Sequence, residues 1–424
     1  MPPQRYYLPP EWVSHAMTLM TWPDNRETWP GDRLNRAEHV YADILEALTP
    51  HERVVLLVAN EQAQQAAASM IQKRNVDWNR IRMFRIPVND VWIRDYGPIS
   101  LVKTGEGSPK IVLSNWEYNA WGGKYPPFDA DNAVPHKLAD LLNYPIVDTG
   151  MVLEGGSVDV NGAGTLLTTE SVLLNPNRSM GDRPAGNEKK EANNQVDNSD
   201  KTGAGNRYSG KRGADNGGSD KTESGNGDAD ENRPAKGGSV KNRSGQGSPD
   251  NGPAGRDKAT VEEKLKHFFG INKVIWLKDG LKGDDTDGHI DDLARFVSER
   301  VVVASVTEDP DDPNYEVLRE NLKMLYDATD SKGRPLEIIK LPLPQTLIKG
   351  TTVDGSDRVP ASYVNFYIAN NCVLVPTYDD RYDDEVLRIF QSLYPERYIK
   401  GIPSNDLVWG QGSIHCVTQQ VVRF

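Results

Sequence analysis

The sequence predicts an α/β fold in which about five similar units close on themselves as a cyclic array, interrupted by one long polar insertion. Three observations carry that expectation. Amphipathic stretches recur along the chain, in AEHVYADILEAL, AVPHKLADLL, TVEEKLKHFF, YEVLRENLKMLYDA and DEVLRIFQSLY, each with apolar residues at three- and four-residue spacing. Each is paired with short apolar strands, among them SVDVNGAGTLLTT, DLARFVSERVVVAS and VNFYIANNCVLVP, where Asn161-Gly162 and Asn370-Asn371 suit tight hairpin turns. Finally, polar side chains gather in the loop at the same point of each unit. The likeness between units lies in this order of elements rather than in literal repetition.

Residues 179–258 break the pattern. The tract is built from Gly, Asn, Ser, Asp, Lys and Arg, and it contains no Leu, Ile, Phe or Trp. Such a composition cannot bury enough apolar surface to offset the entropy of ordering, so a disordered insertion is expected. Residues 1–178 and 259–424 then form one catalytic domain, with ample apolar content for a large core.

The formal net charge of the 424-residue chain is -12. Lys/Arg and Asp/Glu nearly cancel within the insertion, so the acidity belongs to the folded part. That balance disfavours nucleic acid and membrane surfaces and mildly favours a cationic ligand, with solubility as the plainer reading. The two cysteines form no CxxC pair, which argues against a disulfide framework or zinc site and for a reducing compartment. MPPQRYYLPPEW lacks a basic segment followed by an apolar one, and no apolar run approaches the roughly 18 residues of a membrane span. A cytoplasmic address is expected.

In unit order the polar loops read VNDVWIRDYGP with Asp95, MVLEGGSVDV with Glu154, GDDTDGHIDDLA with His289 and Asp291, SYVNFY with nothing ionisable but Tyr, and WGQGSIHC with Cys416. If the units surround one axis, these five segments supply one site. Taken singly, each residue has a plainer reading. Cys416 suits a small buried hydrophobe, as Cys372 does within its apolar strand. His289 suits a turn, Asp95 a partner for Arg94, Glu154 a solvated bend, and Trp92 and Trp121 packing. The acids of DDTDGHIDD lack the spacing and closing Glu of a calcium loop. Joint placement, rather than any one residue, points to a site.

A thiol with histidine and several carboxylates has a definite chemical meaning. Carboxylates raise a thiol's pKa and weaken it as a nucleophile, so the set makes sense only when a cation joins it. A planar guanidinium held between two carboxylates would offset their charge and present its central carbon to sulfur.

At this level of detail WIRDYGP, LEGGSVDVNG, TDGHIDD and GSIHCVTQQ, in that order, resemble the motifs of the agmatine deiminase family, guanidine-modifying enzymes of the five-bladed α/β-propeller (pentein) fold. The resemblance extends to MPPQRYYLPPEWVSHAMTLMTWPDNRETWPG and NAWGGKYPPFDADN, and so to nearly all of the chain outside the insertion. It implies hydrolysis of agmatine to N-carbamoylputrescine and ammonia, a step toward putrescine, without cofactor or metal. It also implies a homodimer. Carried over, Cys416 is the nucleophile, His289 the acid and base, Glu154 its orienting partner, and Asp95 and Asp291 grip the guanidinium beside Trp92. Trp121, with Trp22 and Asp24, is placed at the substrate's amine end. Gln411 and Ser413 depart from the family's more uniformly Gly-rich approach to the cysteine. Rival readings are a free-arginine or protein-arginine deiminase with the same reacting groups, a silent module binding a cationic metabolite, and an interaction scaffold built on the insertion.

Overall fold

In the computed structural model, which describes residues 6–105, 110–179, 255–350 and 357–424, the described strands form five sheets. The sheets share one pattern: a short first strand pairs antiparallel with a second, a helix follows, and the chain returns as a strand parallel to the second. The second unit shows it plainly. Asp159–Val160 pairs antiparallel with Thr165–Thr169, helix Lys258–Phe269 follows, and Lys273–Leu277 lies parallel to Thr165–Thr169. Ala294–Phe296, Val301–Val306, helix Tyr315–Asp327 and Glu337–Pro342 repeat it, as do Tyr367–Ile368, Cys372–Thr377, helix Asp383–Leu393 and Tyr398–Pro403. Ile99–Lys103, Lys110–Glu117, helix Val134–Leu142 and Ile146–Val152 form another, edged by Tyr6–Tyr7. The fifth sheet joins the chain ends: Gln419–Val422 pairs antiparallel with His15–Thr21, followed by helix Arg33–Leu48 and parallel Val54–Val58. The expected α/β class and repeat of five are therefore present, and all five anticipated helices form.

Local chemistry explains the elements. VVLLV at Val54–Val58 is buried at every position, as a strand covered on both faces must be. Helix Lys258–Phe269 starts at Asp257, whose carboxylate accepts from the Thr260 N–H, and ends at Gly270 in the left-handed conformation. In the Asn161-Gly162 turn, Asn161 Oδ1 accepts from the Ala163 and Thr165 N–H groups. Two features differ from expectation. The first strands are only two or three residues long in three units, because part of the apolar sequence before them is spent in turns such as Gly155–Ser157. Helix Glu61–Ile71, capped by Asn60, was not anticipated, since its buried face is made largely of alanines that barely register as an apolar stripe. It leads to a fourth strand, Ile81–Arg85, parallel to Val54–Val58.

The expected insertion lies outside the described residues apart from its ends. There, Ser179 closes the short 3-10 turn Pro176–Ser179, and Lys258 already belongs to the following helix. Among the described residues no helix is long and apolar enough to cross a membrane.

What positions the site is the linkage between first strands. Ser100 Oγ donates to the Gln420 carbonyl, the Phe296 N–H donates to Asp159, and the Arg295 guanidinium donates to the Val364 carbonyl. With first strands tied to one another, the segments that enter them are drawn together.

Candidate active site

Each predicted loop residue stands just before a first strand. Asp95 lies in the single helical turn Ile93–Tyr96, Glu154 precedes Gly155–Ser157, and His289 precedes the turn Ile290–Asp292 that carries Asp291. Cys416 occupies the turn before Gln419–Val422. All five side chains are buried. Gly156 reports how closely three of them meet. A Cβ placed there would stand 2.6 Å from His289 Nδ1, 2.9 Å from Asp95 Oδ1 and 3.1 Å from Asp291 Oδ2. Only glycine leaves that recess open.

The three carboxylates follow one rule: one oxygen is held by the protein, while the other or a shared edge faces His289. Asp95 Oδ2 accepts from Trp121 Nε1 at 3.1 Å, and its Oδ1, which accepts from the Gly156 N–H, lies 3.7 Å from His289 Nδ1. Glu154 Oε1 accepts from Arg178 Nε at 2.8 Å, leaving Oε2 without a hydrogen bond at 3.9 Å from His289 Nε2. Asp291 Oδ2 meets His415 Nδ1 at 2.7 Å, and its buried Oδ1 has no partner, 3.9 Å from His289 Nδ1. Neither ring nitrogen of His289 is hydrogen-bonded. Buried acceptors seldom go unpaired, so the free oxygens of Glu154 and Asp291 suit a partner that brings its own N–H groups.

Electrostatics follow from this geometry. Burial alone would pull the His289 pKa down, but Asp95, Glu154 and Asp291 hold it up to about 10. The imidazole is therefore a cation at neutral pH. Burial drives Glu154 up, yet the Arg178 guanidinium and His289 bring it to about 2, so it stays ionised. Asp95 rises to about 6 because burial and the neighbouring carboxylates Asp291 and Glu154 outweigh the pull of His289. Burial, then Asp291, Asp292 and Asp95, push the Cys416 thiol well above its ordinary value. The resting thiol is protonated, and a cation entering among the carboxylates would shift it toward thiolate.

The loop SYVNFY, expected to contribute nothing ionisable, contributes a neutral amide. Asn365 Nδ2 donates to Cys416 Sγ at 3.2 Å and to Asp292 Oδ1 at 3.1 Å, and Asn365 Oδ1 accepts from the His415 N–H. A search for ionisable groups passes over it. Arg178 escapes notice for another reason: its role exists only across loops. Fully buried, it donates to Glu154, to the Trp121 and Thr286 carbonyls, and to Asp287. His415 and Glu11 were missed likewise.

Of the aromatic candidates, Trp92 packs against Trp29 with ring centroids 5.7 Å apart and against the Cα of Gly412. Trp121 supports Asp95. Trp22 is buried against Tyr41 and donates to Glu38, and Asp24 accepts from Asn60. The acids around His289 also have individual work. Asp284 accepts from the Thr286, Gly288 and His289 N–H groups, Asp285 accepts from the Tyr125 hydroxyl, and Asp287 pairs with Lys124.

Comparison with known proteins gives the chain a family. The sequence profile of the Porphyromonas-type peptidyl-arginine deiminase family matches residues 7–194 and 249–421. The chain belongs to that family. Within it, the chain is 32% identical over 433 residues to a protein of Mycoplasma capricolum that carries the provisional name agmatine deiminase, covering 98% of this chain and 95% of the relative. The structure of the agmatine deiminase of Enterococcus faecalis catalysing its reaction superposes with a TM-score of 0.73 at 27% identity, covering 99% and 96% of the two chains. A Porphyromonas gingivalis structure, provisionally an arginine deiminase, superposes with a TM-score of 0.72 at 29% identity, covering 99% of each chain. The family match omits residues 195–248, which fall inside the expected insertion.

Proposed function

We propose that the protein is an agmatine deiminase, hydrolysing agmatine to N-carbamoylputrescine and ammonia through a covalent intermediate on Cys416. The observation that carries this reading is the recess over Gly156, where Asp95, Asp291 and Glu154 surround a histidine and where Asp291 and Glu154 each leave one acceptor oxygen unspent. Carboxylates at two edges suit the N–H groups of a guanidinium. Asp95 and Asp291 bind it, with Trp92 beside them. Its charge offsets theirs, the Cys416 thiol gives up its proton to water as the cation enters, and the thiolate attacks the central carbon to form a C–S bond. His289, held as a cation by Glu154, gives its proton to the departing ammonia, leaving an S-alkylthiouronium. Neutral His289 then takes a proton from water as the oxygen adds to the same carbon. The C–S bond breaks, the ureido product leaves and sulfur regains its resting form. Asn365 holds the sulfur in place through both halves. None of these steps calls on a metal or cofactor.

Agmatine is favoured over free arginine because an α-carboxylate would want a cation at the far end of the substrate. Arg94 is spent on Glu11, Gln420 and the His415 carbonyl, and Arg178 on Glu154 and Asp287. The reading carries with it a homodimer, a cytoplasmic address and a role in putrescine formation. The resemblance supports the first and third, and two unpaired buried cysteines accord with a reducing compartment. The test is turnover of agmatine, free arginine and a peptidyl-arginine, scoring ureido product and ammonia together. Agmatine is expected to give the highest kcat/KM by a factor of about 100 or more, the scale set by an unpaired buried charge. A preference for either arginine substrate overturns the assignment and leaves the thiol chemistry standing.

A further inference from the structure

Behind the reacting groups runs a buried line of three side chains, Glu11, His415 and Asp291. His415 Nε2 meets Glu11 Oε2 at 2.8 Å and its Nδ1 meets Asp291 Oδ2 at 2.7 Å. All three residues are buried. Glu11 is fixed in turn: its Oε1 accepts from the Ile368 N–H at 2.7 Å and pairs with Arg295 at 2.8 Å, and Arg94 approaches Oε2 at 3.4 Å. These contacts reach the strand after Asn365, the strand after Asp291 and the turn that holds Asp95. An amino-terminal glutamate thus fastens three site loops to the histidine beside the nucleophile.

The line has a consequence for Asp291. Both ring nitrogens of His415 face carboxylate oxygens at hydrogen-bond distance, and each such contact needs a proton, so the three groups share two. Asp291 Oδ2 is therefore tethered through one lone pair while its edge still borders the recess over Gly156. The other oxygen, Oδ1, is buried, unpartnered and turned toward His289. A free carboxylate could rotate or close onto His289; the tethered one keeps both oxygens in fixed places.

We propose that His415, anchored by Glu11, is a positioning residue that fixes the orientation of the Asp291 carboxylate toward the substrate cation. This rests on the reading of Asp291 as a guanidinium ligand. His415 itself touches no reacting atom in the proposed reaction, and its effect passes through Asp291.

Two substitutions separate positioning from bulk packing. In His415→Asn the amide sits near Nδ1 and reaches Asp291 but not Glu11; in His415→Gln it sits near Nε2 and reaches Glu11 but not Asp291. Both keep a polar group in the wall. The first readout is the kcat and KM of each variant for agmatine. The second is independent of agmatine: the rate of Cys416 alkylation by 2-chloroacetamidine, a cation shaped like the substrate head, divided by the rate with neutral iodoacetamide. His415→Gln is expected to raise KM and lower the alkylation ratio by about tenfold or more, the worth of one charge-assisted hydrogen bond, whereas His415→Asn retains most of both. Equal losses in the two variants, or a fall in kcat with KM and the ratio unchanged, would overturn the proposal. If wild type alkylates selectively but does not turn over agmatine, the substrate assignment fails while the ratio still decides the role of His415.

Discussion

At the scale of residues, the site is a problem in keeping charge unpaired but ordered. Three buried carboxylates around one imidazole would repel one another or collapse onto it, and each is restrained by partners outside that cluster: Trp121 and the Gly156 N–H for Asp95, Arg178 for Glu154 and His415 for Asp291. The proposed reacting residues Cys416, His289, Glu154, Asp95 and Asp291 could be picked out in the sequence because ionisable side chains recur at one point of successive units, and the structure brings them together. Their partners could not be picked out. A buried arginine or amide that works across loops leaves no local pattern, and the meaning of Arg178 and Asn365 appears only when distant segments meet. The charge logic is testable at Glu154. His289 is held up to about 10 by surrounding carboxylates, Glu154 among them, and it must be protonated to release ammonia. Glu154→Gln removes one negative charge, so the His289 pKa falls and the basic limb of the kcat/KM profile should move to lower pH, by roughly one unit. An unmoved basic limb would show that Glu154 does not set the histidine's charge.

At the scale of elements, the loop leading to the nucleophile carries a conformational cost. Gln411 has φ +81°, in the left-handed region that favours glycine. This is one of the two positions where the sequence departs from the Gly-rich approach of the resembling family. Gln411→Gly should relieve the strain, offset in part by the greater freedom of the unfolded chain. A net gain of roughly 0.5–1 kcal/mol is expected, read as a raised denaturant midpoint at unchanged slope. A lowered midpoint would mean that the glutamine side chain contributes more than its backbone costs. The element pattern was read correctly where apolar periodicity was strong, as in helices Arg33–Leu48 and Asp383–Leu393. It was missed at Glu61–Ile71, whose alanine face signals helix by propensity rather than by pattern.

At the scale of the whole molecule, five units each send a loop to one candidate site, and a long polar tract interrupts only the second. We propose that this tract, which lies outside the described residues apart from its ends, is dispensable for catalysis. Its flanks are held together, because the Arg256 guanidinium donates to the Arg178 carbonyl, and Arg178 in turn grips Glu154. Loop-closure entropy rises only logarithmically with length, so the insertion adds little cost. Deleting residues 180–254, with Arg178 and Arg256 retained, should leave kcat/KM within about twofold; a large loss in a well-folded deletion variant would tie the insertion to catalysis. The central claim concerns the chemistry that the assembled ring performs, and the most direct measurement is a mass spectrum of enzyme acid-quenched during agmatine turnover. The account predicts a population carrying agmatine less ammonia on the peptide that contains Cys416, absent from Cys416→Ser. Turnover with no adduct under any quench time, or an adduct on another residue, would contradict it.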